Sequence, residues 1–238
     1  MKIKEKIKIR EIVPFLSLIA VILFFEIVTN GTLLTFKNMK LIFNQAFVLI
    51  IGSVACSFIV AQGDVDFSMG SMVGITAVCA AWVSQAAGGM ALPAAMILGA
   101  VLGVINGILF VKFKIPSFVV TLSTLMILRG LTIFIAGGGS VSVPFSLYKY
   151  DSFPLKLVLC IVVILAATFC FNYTKLGKWS KAIGSGITAA HQSGVPVGKM
   201  RLFGYGLSAA MCGLCGFFNM VRAGSAATNT GNFFETDV

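Results

Sequence analysis

The sequence predicts an all-α membrane protein, and three observations about its composition and apolar runs support this. Of its 238 residues, 58% are hydrophobic and only 11% are charged, and the mean hydropathy is +0.99. Soluble domains carry roughly a quarter charged residues, so a water-soluble fold of this size has no means of hiding so much apolar surface. The apolar residues also gather in long runs, which is typical of helices that cross a bilayer repeatedly.

Seven apolar runs are long enough to cross a membrane, since one crossing takes about 20 residues. We therefore expect about seven transmembrane helices in a single domain over residues 1–238. The first run follows the basic segment MKIKEKIKIR, and no small-residue cleavage site comes after it, so we expect a retained first helix. The runs lie at 12–28, 41–61, 70–87, 91–111, 117–136, 155–171 and 202–221.

The positive charges predict the topology, because Lys and Arg are concentrated in cytoplasmic loops. With a cytoplasmic N-terminus, the inside loops 1–11, 62–69, 112–116 and 172–201 carry twelve bases, against five on the other side. The net charge of +10 is spread over these loops rather than along one face. Nucleic acid is therefore not an expected partner, and the lipid bilayer is. The loop 62–69 is an exception, because it has two acids and no base.

The cysteines and the single histidine do not predict a redox or metal site. Cys212 and Cys215 form a C-x-x-C pattern inside an apolar run, with no neighbouring charge to activate a thiol, so we interpret them as packing residues. His191 has no second metal ligand nearby. The chain also lacks the G-x-x-x-x-G-K-[ST] motif that binds ATP phosphates. We expect no metal ion, no cofactor and no catalytic residue.

One run carries a pattern of small residues that favours close helix packing. In GAVLGVING, Gly99, Gly103 and Gly107 are four residues apart and so share one helical face. Small residues at this spacing let two helices approach closely in lipid. We expect this face to pack against another helix.

The stretch QGDVDFSMGS interrupts two apolar runs with two acids. Gly63 is expected to break the helix, and Asp66 or Ser68 can cap the next one, which we expect to begin near Phe67. Aspartates at membrane depth are costly unless they are capped, paired or hydrated. A broken helix is tolerated there only where it lines a cavity or is buried in protein. A pathway-lining break and a short hydrated turn are both compatible with the residues.

Arg129 interrupts the run 117–136 about 10 Å from its outer end, at 1.5 Å per residue. Its side chain can reach the interface from that depth, or it can pair with a carboxylate, or it can face a transport pathway. The residues alone leave these readings open.

The loop 172–201 has five bases and no acid. In its middle, ITAAHQS can form one or two helical turns, with glycines before and a glycine and a proline after. Such a short helix at the end of two spans can dock a cytoplasmic partner. It can equally lie on the surface of anionic lipid.

Four stretches together resemble the ribose-type permeases of ABC importers. AQGDVDFSMGSM resembles the GGIDLSVGS motif of that family, and NGILFVKFKIPSFVVTLSTLMILRGLTIFIAGG resembles the stretch that follows it. TKLGKWSKAIGSGITAAHQSGV resembles the loop that docks on the ATPase, and YGLSAAMCGLCGFFNMVRAGSAATNTGNFFETD continues the match. The four occur in the family order, and the resemblance runs from about residue 41 to the last residue.

The resemblance implies the membrane subunit of a sugar importer with an all-helical type II importer fold, in the bacterial cytoplasmic membrane. It implies three protein partners: a cytoplasmic ABC ATPase, an extracytoplasmic sugar-binding protein and a second permease subunit, identical or different. Family substrates include ribose, xylose, galactose and a furanose-derived signal. The candidate pathway residues are Asp64, Asp66, Ser68, Asn106 and Arg129. The candidate ATPase-coupling residues are Gly184, Gly186, Ala189, Ala190, Ser193 and Gly194.

The sequence departs from the family pattern in three places. Ile187 and Thr188 stand where the docking loop commonly has acids, and His191–Gln192 replace Arg–Leu. Asp64 stands where the family often has Gly or Asn. Family members also continue for about three further helices beyond YELD, whereas this sequence stops at FFETDV. We therefore expect residues 1–238 to be an incomplete transporter.

Two other functions are compatible with the sequence. An ion-coupled transporter or channel would use Asp64, Asp66 and Arg129 to couple transport to an ion and would need no ATPase. A remnant or scaffold would not transport at all, which the short C-terminal end suggests.

Overall fold

The computed structural model describes residues 9–238, with side chains from residue 12 onward, and its regular structure is almost entirely helical. The basic segment before residue 9, with the predicted cytoplasmic N-terminus, lies outside the described residues. The helices are α1 (Ile9–Val28), α2 (Phe36–Val60), α3 (Met69–Ala87), α4 (Ala91–Phe113), α5 (Ser117–Ile135), α6 (Phe153–Tyr173), α7 (Lys175–Ser185), α8 (Ile187–Gln192), α9 (Val197–Ala223) and α10 (Phe234–Asp237). Two short strands, β1 (Ser140–Ser142) and β2 (Ser225–Ala227), pair antiparallel.

The prediction of an all-α polytopic membrane protein is confirmed. Within the described residues, five helical stretches are long and apolar enough to cross a membrane, and one of them, Met69–Phe113, contains both α3 and α4. The remaining apolar helix, Ile12–Val28, is shorter. Each of the seven predicted runs overlaps one long helix. The largest differences are that α2 begins at Phe36 and that α9 begins at Val197, inside the predicted loop.

The chain divides into two compact units, residues up to Gln45 and residues 46–238. In the first unit, α1 is followed by a turn in which a carboxylate oxygen of Glu26 accepts a hydrogen bond from the Leu34 N–H at 2.9 Å. The second unit contains all the candidate functional residues.

Helix α9 is the central helix of the second unit. In its most apolar stretch 67% of the residues are buried, against 11% in α6. It packs against α3 and most extensively against α4. Most of α6 remains exposed, as expected of a helix that faces lipid.

The α4–α9 interface is built on the glycine face of α4. A Cβ added at Gly103 would lie 2.5 Å from Ala209 Cβ, and one at Gly107 would lie 3.1 Å from Leu202 Cα. A Cβ at Gly99 would overlap the Ala209 carbonyl group. From Gly99 to Gly107 along α4, the contacted residue on α9 moves from Ala209 back to Leu202, so the two helices are antiparallel. Because no side chain separates them, their backbones are in direct contact.

The loops of the second unit lie at two opposite ends of its helices. At one end, a Cβ on Gly184 would overlap the Ala61 backbone, and Lys114 and Gly198 line one cavity. We call this the basic end, formed by residues 61–68, 112–116 and 172–196. The other, strand end comprises residues 88–90, 136–152 and 224–229.

The strand end is held together by the paired strands and by polar side chains. The Trp82 Nε1–H donates to the Ile135 carbonyl at 3.2 Å, and the Gln85 side chain donates to the Ser142 carbonyl at 3.1 Å. Lys156, which the topology placed at the edge of an outer loop, is buried and pairs with Asp151. Within the second unit, the loops assigned by charge to the two sides of the membrane thus lie at different ends.

Candidate functional site

The junction between α2 and α3 is a sharp break at the basic end, which we call the break loop (residues 61–68). Helix α2 ends at Val60, and Gly63 adopts φ +78°, a left-handed conformation that suits glycine. The next three residues have no regular structure, and α3 begins at Met69 rather than at the predicted Phe67. The chain therefore reverses direction between α2 and α3.

Asp66 fixes the end of this stretch. Its Oδ1 accepts hydrogen bonds from the Ser68 N–H at 2.8 Å and from the Ser68 hydroxyl at 2.5 Å. An aspartate that bonds the backbone two residues on forms an Asx turn. The predicted capping role is therefore shifted: Asp66 satisfies the N–H of Ser68, just before α3, and not an N–H inside the helix.

Through the Ser68 hydroxyl, Asp66 is linked by hydrogen bonds to two further helices. Nδ2 of Asn106 on α4 donates to Ser68 Oγ at 3.1 Å, and the Thr124 hydroxyl on α5 donates to Asn106 Oδ1 at 2.7 Å. We call these four residues the Asp66 network. Asn106 is about two turns from the end of α4, or roughly 10 Å along the helix. The network thus buries polar groups deep among apolar helices, where each group must find a partner.

Asp64, whose role the sequence left unexplained, pairs with Arg201 in the first turns of α9. The Arg201 Nε lies 2.9 Å from Asp64 Oδ2, and Nη2 donates to Oδ1 at 3.0 Å. The guanidinium also lies over the Phe110 ring, 4.4 Å from its centroid. Burial raises the pKa of the Asp64 carboxyl, and the Arg201 guanidinium opposes this shift by favouring the charged form. Sequence reasoning counted Arg201 only as a loop base and missed the pair.

Arg129 lies apart from the break loop and pairs with the segment that follows β2. Its Nη1 and Nη2 donate to the carbonyls of Thr230 at 3.2 Å and Gly231 at 2.7 Å. Nη2 also lies 3.5 Å from Glu235 Oε2. Among the readings that the sequence left open, the geometry therefore favours pairing.

The segment that Arg129 contacts also packs against the first turns of α3. A Cβ added at Gly70 would lie 2.6 Å from the Gly231 carbonyl oxygen, and one at Gly74 would lie 2.7 Å from that of Thr230. The segment that follows β2 thus contacts the first turns of α3, which the break loop precedes directly in the chain.

The predicted coupling loop folds into α7 and α8 before α9 begins. Ala190 is 4% exposed and packs in an apolar cluster with Ile183, Val195 and Met200. Gly184 is in backbone contact with Ala61, and Gly194 adopts φ +79°. The structure therefore turns Ala190 toward its own subunit rather than toward a partner. The exposed residues of this loop include Ile187, Thr188, Ala189, His191, Ser193 and Gly194, whereas Gly186 is half-buried.

No group of three His, Cys, Asp or Glu side chains that could hold a metal ion occurs among the residues from 9 to 238 that the structure describes. The six cysteines are all free, and Cys212 and Cys215 are buried in α9. Cys215 Sγ donates to the Val48 carbonyl at 3.4 Å, which joins α9 to α2. The site thus consists of hydrogen-bonding and charged side chains at a helix break.

A bundle of apolar helices with an internal polar break and a small helical pair at one end defines a polytopic membrane protein. Residues 38–238 match the family described as branched-chain amino acid transport system / permease component, and the chain belongs to this family. It is therefore a membrane-embedded transport subunit, and ATP hydrolysis in such systems is the task of a partner ATPase.

Curated relatives of the chain include import permeases from several bacteria. The chain is 28% identical over 236 residues to the ribose import permease protein RbsC of Escherichia coli K12, covering 93% of this chain and 73% of the relative. The Haemophilus influenzae ribose import permease protein RbsC matches with the same identity and coverage. The autoinducer 2 import system permease protein LsrC of Yersinia pestis Pestoides F is 28% identical over 229 residues, covering 92% of this chain and 65% of the relative. No solved structure matches the chain significantly. These findings confirm the family resemblance predicted from the sequence.

Proposed function

We propose that the chain is the permease subunit of an ATP-driven, binding-protein-dependent importer for a monosaccharide or a related small sugar. The observation that carries the proposal is the Asp66 network, a set of buried polar side chains at a helix break in a chain of the permease family. The names of the relatives, which import ribose and autoinducer 2, supply the substrate class.

The Asp66 network suits a pathway that is closed. Asp66 and Asn106 are 7% and 2% exposed, and each uses its polar atoms on neighbouring helices or on the break loop. Sugar hydroxyls are both donors and acceptors, so they can replace these internal hydrogen bonds when the helices separate. Opening would then exchange protein–protein bonds for protein–sugar bonds at little net cost.

We place the basic end on the cytoplasmic side, and the basic N-terminal segment, by its own charge, on the same side. The segments at this end carry five bases, against one at the strand end, and Lys and Arg are concentrated on the cytoplasmic side of membrane proteins. The exposed side of α8, with Thr188 and His191, would then face a cytoplasmic ABC ATPase. The strand end would face the sugar-binding protein, and a second permease subunit would complete the transporter.

One observation favours an ion-coupled transporter as the second candidate. Asp66 is a buried carboxylate with no basic partner among the hydrogen bonds and ion pairs of the described residues. Intramembrane acids of this kind often relay protons or bind ions. In that case transport would follow an ion gradient and would not need ATP hydrolysis.

Uptake in cells tests both candidates. A strain lacking this permease is compared with the same strain carrying it, using labelled ribose, and labelled leucine because the family description names branched-chain amino acids. We expect permease-dependent ribose uptake that is lost when the partner ATPase is inactivated but persists after an uncoupler at constant ATP. Uptake that survives loss of the ATPase and stops with the uncoupler contradicts the importer. Uptake of leucine without ribose contradicts the sugar assignment.

The docking of α8 is tested at an exposed residue, because Ala190 supports the subunit's own fold. Thr188→Arg adds a long charged side chain to the exposed face and should uncouple ATP hydrolysis from uptake. Thr188→Ser is the matched control and should behave as the unaltered protein. Normal uptake and normal ATPase stimulation by the Thr188→Arg protein would exclude this face as the coupling surface.

A further inference from the structure

The break loop is attached to the start of α9 at three successive points. The Gln62 side chain donates to the Met200 carbonyl at 3.5 Å, and the Tyr205 hydroxyl donates to the Val65 carbonyl at 3.3 Å. The Asp64–Arg201 ion pair lies between these contacts and is the only charged one of the three. Displacement of the first three turns of α9 would therefore displace the break loop.

The same turns of α9 are attached to the coupling helices. The Met200 side chain packs with Ile183 of α7 and Ala190 of α8 in one apolar cluster. Gly184, at the end of α7, is in backbone contact with Ala61, at the start of the break loop. Helices α7 and α8 and the start of α9 thus form a packed unit that touches the break loop directly.

The far side of the break loop is attached to the rest of the helices. Ser68 is bonded to Asp66 and to Asn106 of α4, and Asn106 in turn to Thr124 of α5. The Val65 N–H also donates to the Ser117 hydroxyl, at the first residue of α5, at 3.4 Å. The break loop therefore lies between the coupling helices and the candidate pathway, with contacts to both.

From these contacts we propose that the Asp64–Arg201 ion pair transmits movement of the coupling helices to the break between α2 and α3, and so opens the pathway. This inference rests on the proposed function and assigns a positioning role to both residues. The pair can transmit movement because the guanidinium contacts both oxygens of the carboxylate. The side chains of Asp64 and Arg201 are only 8% and 15% exposed, so either charge left alone would be poorly solvated.

The test measures the energetic coupling between the coupling helices and the pathway. The complete permease is reconstituted in liposomes with its ATPase and binding protein, and sugar uptake per ATP hydrolysed is measured. The variants are Asp64→Asn, Arg201→Gln and the double variant. Lys199→Gln is the matched control, because it removes an exposed base from the same part of α9.

We expect each single variant to lower uptake per ATP by about 5-fold or more, the range typical of coupling between sites. The double variant should be no worse than either single variant, because both remove the same contact. Lys199→Gln should keep the original ratio. If a neutral variant does not accumulate, Arg201→Lys retains the charge but loses the two-point geometry, and it should lower the ratio too.

Two results would overturn the proposal. In the first, the variants lower the melting temperature but keep the ratio of uptake to ATP hydrolysis, which would make the pair purely structural. In the second, the losses of the two single variants add up in the double variant. A failure of the proposed function looks different, because the unaltered protein would then show no ATP-dependent sugar uptake at all.

Discussion

The α4–α9 interface and the break loop hold the same helices together by opposite means. At the interface, glycines bring the two backbones into direct contact. At the break loop, hydrogen bonds and ion pairs of polar side chains make the contacts, among them those of Asp64, Asp66, Ser68, Asn106 and Arg201. Close packing admits one arrangement of the helices, whereas hydrogen bonds can be exchanged for others. From this comparison we expect α4 and α9 to stay packed together while the hydrogen bonds of the break loop rearrange.

The largest expected effect is at the interface. Gly103→Leu places a side chain where even a Cβ would meet Ala209, and overpacking of this kind costs about 3 kcal/mol. Gly130→Leu is the matched control, since Gly130 is exposed on α5 and has no atom within 4 Å of an added Cβ. Thermal unfolding in detergent should show a large loss of stability for the first and almost none for the second. Equal stability of the two proteins would mean that α4 and α9 are not in backbone contact.

A smaller effect is expected when Asp66 loses its ability to accept hydrogen bonds. Asp66→Leu leaves the Ser68 N–H and hydroxyl without an acceptor, which costs about 1–3 kcal/mol. Asp66→Asn keeps an acceptor oxygen in the same place and should be mild. Uptake and melting temperature are compared for the two proteins. If both are equally inactive, the charge of Asp66 is what matters, and the ion-coupled transporter gains support.

Asn106 should have a still smaller effect, about 1.2 kcal/mol for two hydrogen bonds, because such bonds between membrane helices average about 0.6 kcal/mol each in double-mutant cycles. Asn106→Leu removes the contacts with Ser68 and Thr124 but leaves the Asp66–Ser68 turn intact. Ser123→Ala is the control, since the Ser123 hydroxyl bonds only within α5. A leak of sugar without ATP hydrolysis should appear in the Asn106→Leu protein alone. A leak of the same size in the control would show that these hydrogen bonds are not what keeps the pathway closed.

The smallest effect on stability is expected at Arg129, whose side chain is 18% exposed. Arg129→Gln retains one donor for the carbonyls of Thr230 and Gly231 and should cost about 0.5–1 kcal/mol. Its main consequence should be local loosening of the segment after β2, measured as faster amide exchange at residues 228–235. Arg129→Lys should exchange at an intermediate rate. Unchanged exchange in the Gln variant would show that packing against Gly70 and Gly74 holds the segment.

The sequence predicted those features that depend on neighbouring residues. Runs of apolar residues located the seven long helices, and the four-residue spacing of Gly99, Gly103 and Gly107 located a packing face. The break at Gly63 was also visible, because it lies between two apolar runs. Each of these follows from the period of a helix or from its interruption.

The contacts between distant residues could not be predicted in the same way. Asp64 and Arg201 are 137 positions apart, and Arg129 and Gly231 are 102 apart. Nothing in the spacing of charges shows which arginine an aspartate will meet, because tertiary packing decides it. The burial of Ala190 was missed for the same reason: the core around it is shared by α7, α8 and α9.

The central claim is that the break loop lines the pathway and opens during transport, and the accessibility of Ser68 tests it most directly. Ser68 is replaced by cysteine in a protein that lacks the six native cysteines, and a protein that retains only the buried Cys215 is the control. We predict that a water-soluble thiol reagent labels the cysteine at position 68 only during ATP hydrolysis with the ATPase and the binding protein present. Cys215 should stay unlabelled throughout. Absence of labelling during active transport, or equal labelling with and without ATP, would contradict this account.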